Sequence, residues 1–305
     1  MSQINARLSK SLLDQWYDQV IAAKPFLRWA GGKSVFLLRY SKIFPKFDGK
    51  LIEPFLGSGA VFFHLVRKSQ RMGRALLGDT NRELISTYEA VRDQPEDVYR
   101  RLEVLQAEYT AAVDKAVYYN AIRDTFNATR PRVDAAVFIF VNRTCWNGLY
   151  RVNRDGRFNV PYGAPSKSSV IPEKSAFFAA SAALQQAQLR AASWENSVAM
   201  AEPGDLVFLA PPYYSDIVSD DTKYSRFAFR LADHKRLAGA VQHLSERRIS
   251  FVLTNSGEEE MISMYQRLGL KTTIVSVPRT ISGKTDSRIA ASEVIVTPPW
   301  MNLEV

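Results

Sequence analysis

Residues 204–215 read GDLVFLAPPYYS, and the organisation of the whole chain follows from this stretch. Leu206, Val207, Phe208 and Leu209 form a short apolar run after a Pro-Gly-Asp turn, which predicts a buried strand of a parallel sheet. Pro211 and Pro212 end the run, because neither can donate to a ladder and each fixes φ. Tyr213 and Tyr214 therefore stand at the carboxyl edge of a strand, where open α/β sheets bind ligands.

Upstream, LIEPFLGSG (Leu51–Gly59) reads as a strand running into a glycine turn, with a helix over Val61–Lys68. A second short strand, LLGD, ends in Asp79. This is a Rossmann-like arrangement, in which such an acid accepts hydrogen bonds from ribose hydroxyls. Gly57 and Gly59 lack the third glycine of a dinucleotide fingerprint, which points to one adenosine rather than NAD. An ordinary βαβ turn would show the same two glycines. PFLRWAGGKS (Pro25–Ser34) invites a P-loop reading, but Leu27 occupies the place of the first glycine. A Gly-Gly turn remains, with Trp29 and Lys33 beside it, and a helix is expected over 34–47.

Between these strands and the 204–215 stretch the strand–helix alternation stops. Helices are expected over Glu83–Val91, Pro95–Tyr109 and Lys115–Asn127, then a β-hairpin whose tip is Asn153-Arg154-Asp155-Gly156. Tyr150, Val152, Phe158 and Val160 alternate along its arms. Arg143, Arg151, Arg154 and Arg157 crowd this segment beside an exposed-looking Trp146-Asn147-Gly148 turn, a pattern more typical of nucleic-acid contact than of a solvated loop. After residue 170 the rhythm resumes. A helix is expected over Phe177–Leu189, a loop or short strand at Ser193–Glu195, helices over Leu231–Arg247 and Met261–Leu268, and strands over Ile249–Asn255, Lys271–Pro278 and Glu293–Thr297. A basic loop is expected over Ser282–Arg288. The expected layout is an N-terminal helical extension over 1–24, an α/β domain over 25–81 and 171–305, and a mainly helical insertion over 82–170.

Composition narrows the partners. Forty Lys+Arg against 31 Asp+Glu give +9, which suits a polyanion. Cys145 is the sole cysteine and there are three histidines, so no metal is expected. No apolar run is long enough to span a bilayer and no signal-peptide core is seen, so a cytoplasmic, nucleoid-associated location is expected.

The ordered set WAGGK (Trp29–Lys33), EPFLGSG (Glu53–Gly59), LLGDTNREL (Leu76–Leu84), NRTCWNGLYRVNRDGRFNVPYG (Asn142–Gly163), the APPY tetrad and VLTNSG (Val252–Gly257) resembles Dam-type, alpha-class DNA adenine-N6 methyltransferases. The resemblance runs from Pro25 to Pro299. It implies a Rossmann-like S-adenosylmethionine-dependent sheet, with residues 82–170 as a target-recognition domain carrying the hairpin. S-adenosyl-L-methionine is the implied cofactor, and double-stranded DNA with a flipped adenine the implied substrate. The implied assembly is a monomer or weak dimer. The cofactor residues would be Trp29, Lys33, Glu53, Phe55, Gly57, Gly59, Asp79 and Trp194. The DNA residues would be Arg28, Trp146, Asn147, Leu149, Arg151 and Pro161. Ala164 stands where family members often carry a basic residue, so the implied site is GATC or a relaxed variant of it.

The catalytic tetrad would be Ala210, Pro211, Pro212 and Tyr213, where the family has Asp-Pro-Pro-Tyr. The exocyclic amine of adenine is a poor nucleophile, because its lone pair is delocalised into the ring. In the family the Asp carboxylate and a proline carbonyl hold its hydrogens, and the Tyr ring stacks on the extruded base. Alanine at 210 lacks that carboxylate. Three readings follow: an engineered Asp-to-Ala substitution in a working enzyme, a natural homologue that binds DNA without methylating it, or an active enzyme using another acceptor such as Asp205 or Asp216. The first fits best, since the other motifs are intact, and it implies an inactive or weakened chain. A protein or small-substrate N-methyltransferase is the remaining alternative.

Overall fold

The computed structural model describes residues 18–68, 74–130, 132–214, 229–278 and 290–303. Seven strands, β1 (Leu51–Glu53), β2 (Ala75–Asp79), β3 (Ala187–Ala191), β4 (Leu206–Leu209), β5 (Ser250–Ser256), β6 (Lys271–Pro278) and β7 (Ala290–Thr297), form one sheet in the order β3-β2-β1-β4-β5-β7-β6. β1 pairs in parallel with β2 and β4, and β4 with β5. β7 runs antiparallel to both β5 and β6. The chain order reverses at the β1/β4 boundary, which is the switch point at which open α/β sheets leave a ligand crevice. Ile52 lies opposite Val207 there, so Glu53 and Ala210 both belong to the carboxyl edge of that boundary.

The chain divides into two compact units. One comprises Lys33–Phe55, Gly73–Thr80 and Ala192–Val305. Its core joins Ile52, Leu76, Val207, Leu209, Phe251, Leu253, Val294 and Val296 from strands to Leu237, Val241, Met261 and Tyr265 from helices Leu231–Glu246 and Glu259–Arg267. β1 and β4 are buried at every position; β4 is an unbroken apolar run, and β1 is apolar up to the buried Glu53 at its end.

The other unit comprises Met1–Gly32, Leu56–Met72 and Asn81–Ala191. Helices Arg82–Asp93, Lys115–Thr129 and Ala135–Thr144 begin at side-chain caps: Asn81 accepts from Leu84 N, Asp114 from Ala116 and Val117 N, and Asp134 from Ala136 and Val137 N. The helix Ala135–Thr144 is buried along nearly its whole length, with Phe138 and Phe140 fitted among Phe126, Phe158, Tyr109 and Tyr118. Aromatic residues in helix Lys115–Thr129 therefore serve packing, and their polar ends find partners. Tyr119 donates to Val160 O at 2.7 Å, and the Asn127 amide brackets the backbone of Phe158.

Several local expectations change. The helix expected over Phe177–Leu189 spans Lys174–Leu184, and Ala187–Ala191 is strand β3 instead. Alanine-rich sequence hides that switch, although Ala187 and Leu189 are buried around an exposed Gln188. Ser193–Glu195 is not a strand: Trp194–Val198 is a short helix. The helix expected over 34–47 ends at Tyr40 and tightens into a 3₁₀ turn, Ser41–Ile43. The hairpin pairs only through the bridges Val152↔Phe158 and Cys145↔Tyr162. Residues 1–17 of the expected N-terminal extension lie outside the described residues, as do Asp216 and the Ser282–Arg288 loop. Asp18–Val20 is helical, and Val20 and Ala23 are buried.

Candidate active site

In the α/β unit the APPY tetrad leaves β4 at its carboxyl end, with Ala210 partly exposed, Pro211 buried and Pro212 exposed. Tyr213 is fixed by two buried charged groups. Its hydroxyl donates to Glu293 Oε2 at 2.6 Å and accepts from Lys33 Nζ at 2.8 Å, and the ammonium lies 4.4 Å from the ring centroid. Burial and the Glu293 charge push the phenol far above its ordinary range, so it stays protonated. Burial lowers the Lys33 pKa, while Glu293 opposes that shift. Tyr214 N donates to Asn255 Oδ1, and Asn255 Nδ2 lies 3.2 Å from His234 Nδ1.

Glu53 is buried at the end of β1, and Asp79, partly exposed, ends β2. Phe55 stacks on Trp194, with centroids 6.4 Å apart and planes 26° apart, and meets Phe229 edge-on. Asp205, a nominal substitute for the missing carboxylate, sits at the wrong end of β4. Its oxygens accept from the backbone N–H groups of Lys50 and Glu202 and pair with Lys50 Nζ at 2.9 Å. It closes the turn into the strand and cannot serve Ala210.

In the other unit the glycine turn is a close fit. Gly57 has φ +48° and Gly59 φ +66°, and a Cβ on Gly57 would come within 2.8 Å of Trp29 Cδ1. Tyr88 donates its hydroxyl to Gly57 O at 3.1 Å. Only glycine meets both conditions at 57. Arg28 is exposed, and its backbone is held on both sides by the Asn142 amide. Trp146 is 48% exposed, and its N–H is anchored to Pro161 O, itself in an exposed residue. Asn147 takes φ +53° at the tip of that turn, and Leu149 N closes it onto Trp146 O. Arg151 is exposed and donates to Asn159 Oδ1 at 2.9 Å, which aims the guanidinium along the hairpin.

Arg143 does not belong with the surface arginines. It donates inward to the carbonyls of Val170, Phe26 and Ile171. Burial and the nearby Arg28 charge lower its pKa to about 10. Sequence reasoning also passed over Glu293, Asn255 and Glu83. Each is a buried polar residue inside an apolar or motif run, and that placement is the signal that could have marked it.

The α/β unit thus carries a switch-point edge, and the other unit carries a glycine-only turn and an exposed Trp-Asn-Gly turn. The chain belongs to the D12 class of N6 adenine-specific DNA methyltransferases, whose family model matches residues 29–281. It is 32% identical over 278 residues to the type II methyltransferase M.MjaIII of Methanocaldococcus jannaschii, covering 87% of this chain and 95% of that protein. It is 32% identical over 274 residues to the DNA adenine methylase of Escherichia coli strain K12, covering 89% and 94%. The type II methyltransferase M1.LlaDCHI of Lactococcus lactis is 31% identical over 285 residues, covering 91% and 96%. Among the described residues no cluster of His, Cys, Asp or Glu could hold a metal ion, and no helix is long and apolar enough to cross a membrane.

Proposed function

We propose that this chain is an S-adenosylmethionine-dependent, site-specific DNA adenine-N6 methyltransferase in which alanine at 210 leaves binding in place and methyl transfer impaired. The observation that carries this reading is the held APPY tetrad: Tyr213 is fixed by Lys33 and Glu293 beside a position that carries no carboxylate. The cofactor supplies an electrophilic methyl group. Lys33, Glu53, Phe55, Asp79 and Trp194 are assigned to holding it, and the motif resemblance gives Trp29, Gly57 and Gly59 the same assignment. The support is an acid at the end of β2, the Phe55/Trp194 stack and, separately, a turn at 57 that only glycine can adopt. Pro211 offers a carbonyl to one amino hydrogen of an extruded adenine, and the Tyr213 ring stacks on the base. The second acceptor is the one that Ala210 lacks.

Residues 82–170 are assigned to target recognition in double-stranded DNA, at GATC or a relaxed variant. Trp146 and Asn147 support the opened base step, and Arg28, Leu149, Arg151 and Pro161 face bases. The exposed Trp146 and the aimed Arg151 support this assignment. The net charge of +9 supports a nucleoid-associated, monomeric or weakly dimeric protein. Transfer of radiolabelled methyl from S-adenosylmethionine to plasmid DNA tests the whole reading. Ala210→Asp should exceed the present chain by on the order of 10²–10³-fold, with N6-methyladenine as product. Methylation of cytosine or of protein by the restored form, or none at all, sinks it.

A further inference from the structure

Tyr150 lies just after the Trp146–Gly148 turn and carries none of the roles assigned above. Its ring stacks on Trp29, with centroids 5.6 Å apart and planes 23° apart, and is wedged against Phe138 and Phe158. The hydroxyl donates to Glu83 Oε2 at 2.6 Å. Glu83, buried in the first turn of helix Arg82–Asp93, also pairs with Arg130, and Arg130 donates to the carbonyl of Gly156 at the hairpin tip. A buried carboxylate and a partly exposed guanidinium thus fix both the base and the tip of the hairpin, and the phenol between them rests on Trp29. Behind Trp29 lies Gly57, whose missing side chain leaves room for that indole. These residues belong to one compact unit, so the glycine turn, Trp29, Tyr150 and the hairpin tip form one unbroken chain of contacts.

We infer that Tyr150 is a positioning residue that couples cofactor binding at Trp29 to DNA binding by the hairpin. The inference rests on the methyltransferase reading above. A ligand that fixes Trp29 fixes the Tyr150 ring stacked on it, and Tyr150 is bolted to the hairpin through Glu83 and Arg130. Two aromatic faces in contact transmit orientation in a way that an aliphatic side chain of similar volume does not. The coupling is reciprocal, so DNA tightens cofactor binding by the same factor.

The test is a pair of titrations on the full chain. A fluorescein-labelled duplex containing one GATC is titrated with and without saturating S-adenosylhomocysteine, and the cofactor product is titrated with and without duplex. In the present chain each ligand should tighten the other by about 5-fold or more. Tyr150→Leu should bring both factors below about 2-fold, with Tyr150→Met as a second non-aromatic variant, while Tyr150→Phe keeps the coupling. A side chain needed only for packing would weaken each ligand equally whether or not the other is bound. Full coupling in Tyr150→Leu and Tyr150→Met, or no coupling in a chain that binds both ligands, overturns the inference. A chain that binds neither ligand overturns the methyltransferase reading itself.

Discussion

Removing one oxygen from Tyr213 should cost far more than its size suggests. The Tyr213 hydroxyl bridges Lys33 and Glu293, whose residues are 7% and 9% exposed. In Tyr213→Phe the carboxylate loses a donor at 2.6 Å and the ammonium loses an acceptor at 2.8 Å, both away from water. A hydrogen bond to a charged group is worth about 1.5–3 kcal/mol net, and leaving such a group unmatched adds desolvation cost. Direct approach of Lys33 to Glu293 would recover part of this. Tyr213→Phe should therefore lose about 1.5–3 kcal/mol, read as a lower urea midpoint at unchanged m. The triple variant Lys33→Met/Tyr213→Phe/Glu293→Leu replaces all three partners with apolar groups and should recover most of that loss. A Tyr213→Phe stability within about 0.5 kcal/mol of the parent would refute the reasoning, because it would mean that other partners already satisfy both charges.

Three further outcomes follow. Burial, with Arg67 and Lys68 adding to it at His64, lowers the pKa of both His64 and His234 to about 4, so the folded chain binds fewer protons than the unfolded one between pH 4 and 6.5. Stability should fall as pH drops through that window by at most about 1.4 kcal/mol per unit per histidine, and His234→Gln should flatten the midpoint–pH curve. Arg143→Met should destabilise the protein by about 1.5–3 kcal/mol, since three inward carbonyls lose a cationic donor; the salt slope of DNA binding should not change, and a shallower slope would make Arg143 a phosphate contact. Burial raises the Cys145 thiol to about 12, so Ellman's reagent at pH 8 should label the native chain no faster than the chain unfolds, and label it at once in denaturant.

What the sequence determined by itself was local. β1, β2, β4 and β5 each carry a short apolar stretch that ends in a polar or turn residue, and that stretch is set by burial on both faces. The helices after Asn81 and Asp114 were legible from their apolar spacing, whereas Ala135–Thr144, apolar on nearly every face, was not read as a helix. The Gly57 and Gly59 turn was legible because positive φ leaves few residue choices. The short β3 was not, because five residues after an alanine-rich helix carry too little alternation to outweigh helix propensity.

Only the tertiary structure decided which polar residues act together. Glu293 and Tyr213 are 80 residues apart, and Glu83 and Tyr150 are 67 apart. No periodicity encodes such pairs, because a buried charge is matched by whatever donor the fold brings within about 3 Å. The same physics separated the arginines: Arg143 turned inward to carbonyls and Arg151 stayed outward on Asn159, although both stand in one basic segment. It also disposed of Asp205. That carboxylate lies five residues from Ala210 in sequence, but the length of β4 lies between them and holds it at the opposite edge of the sheet.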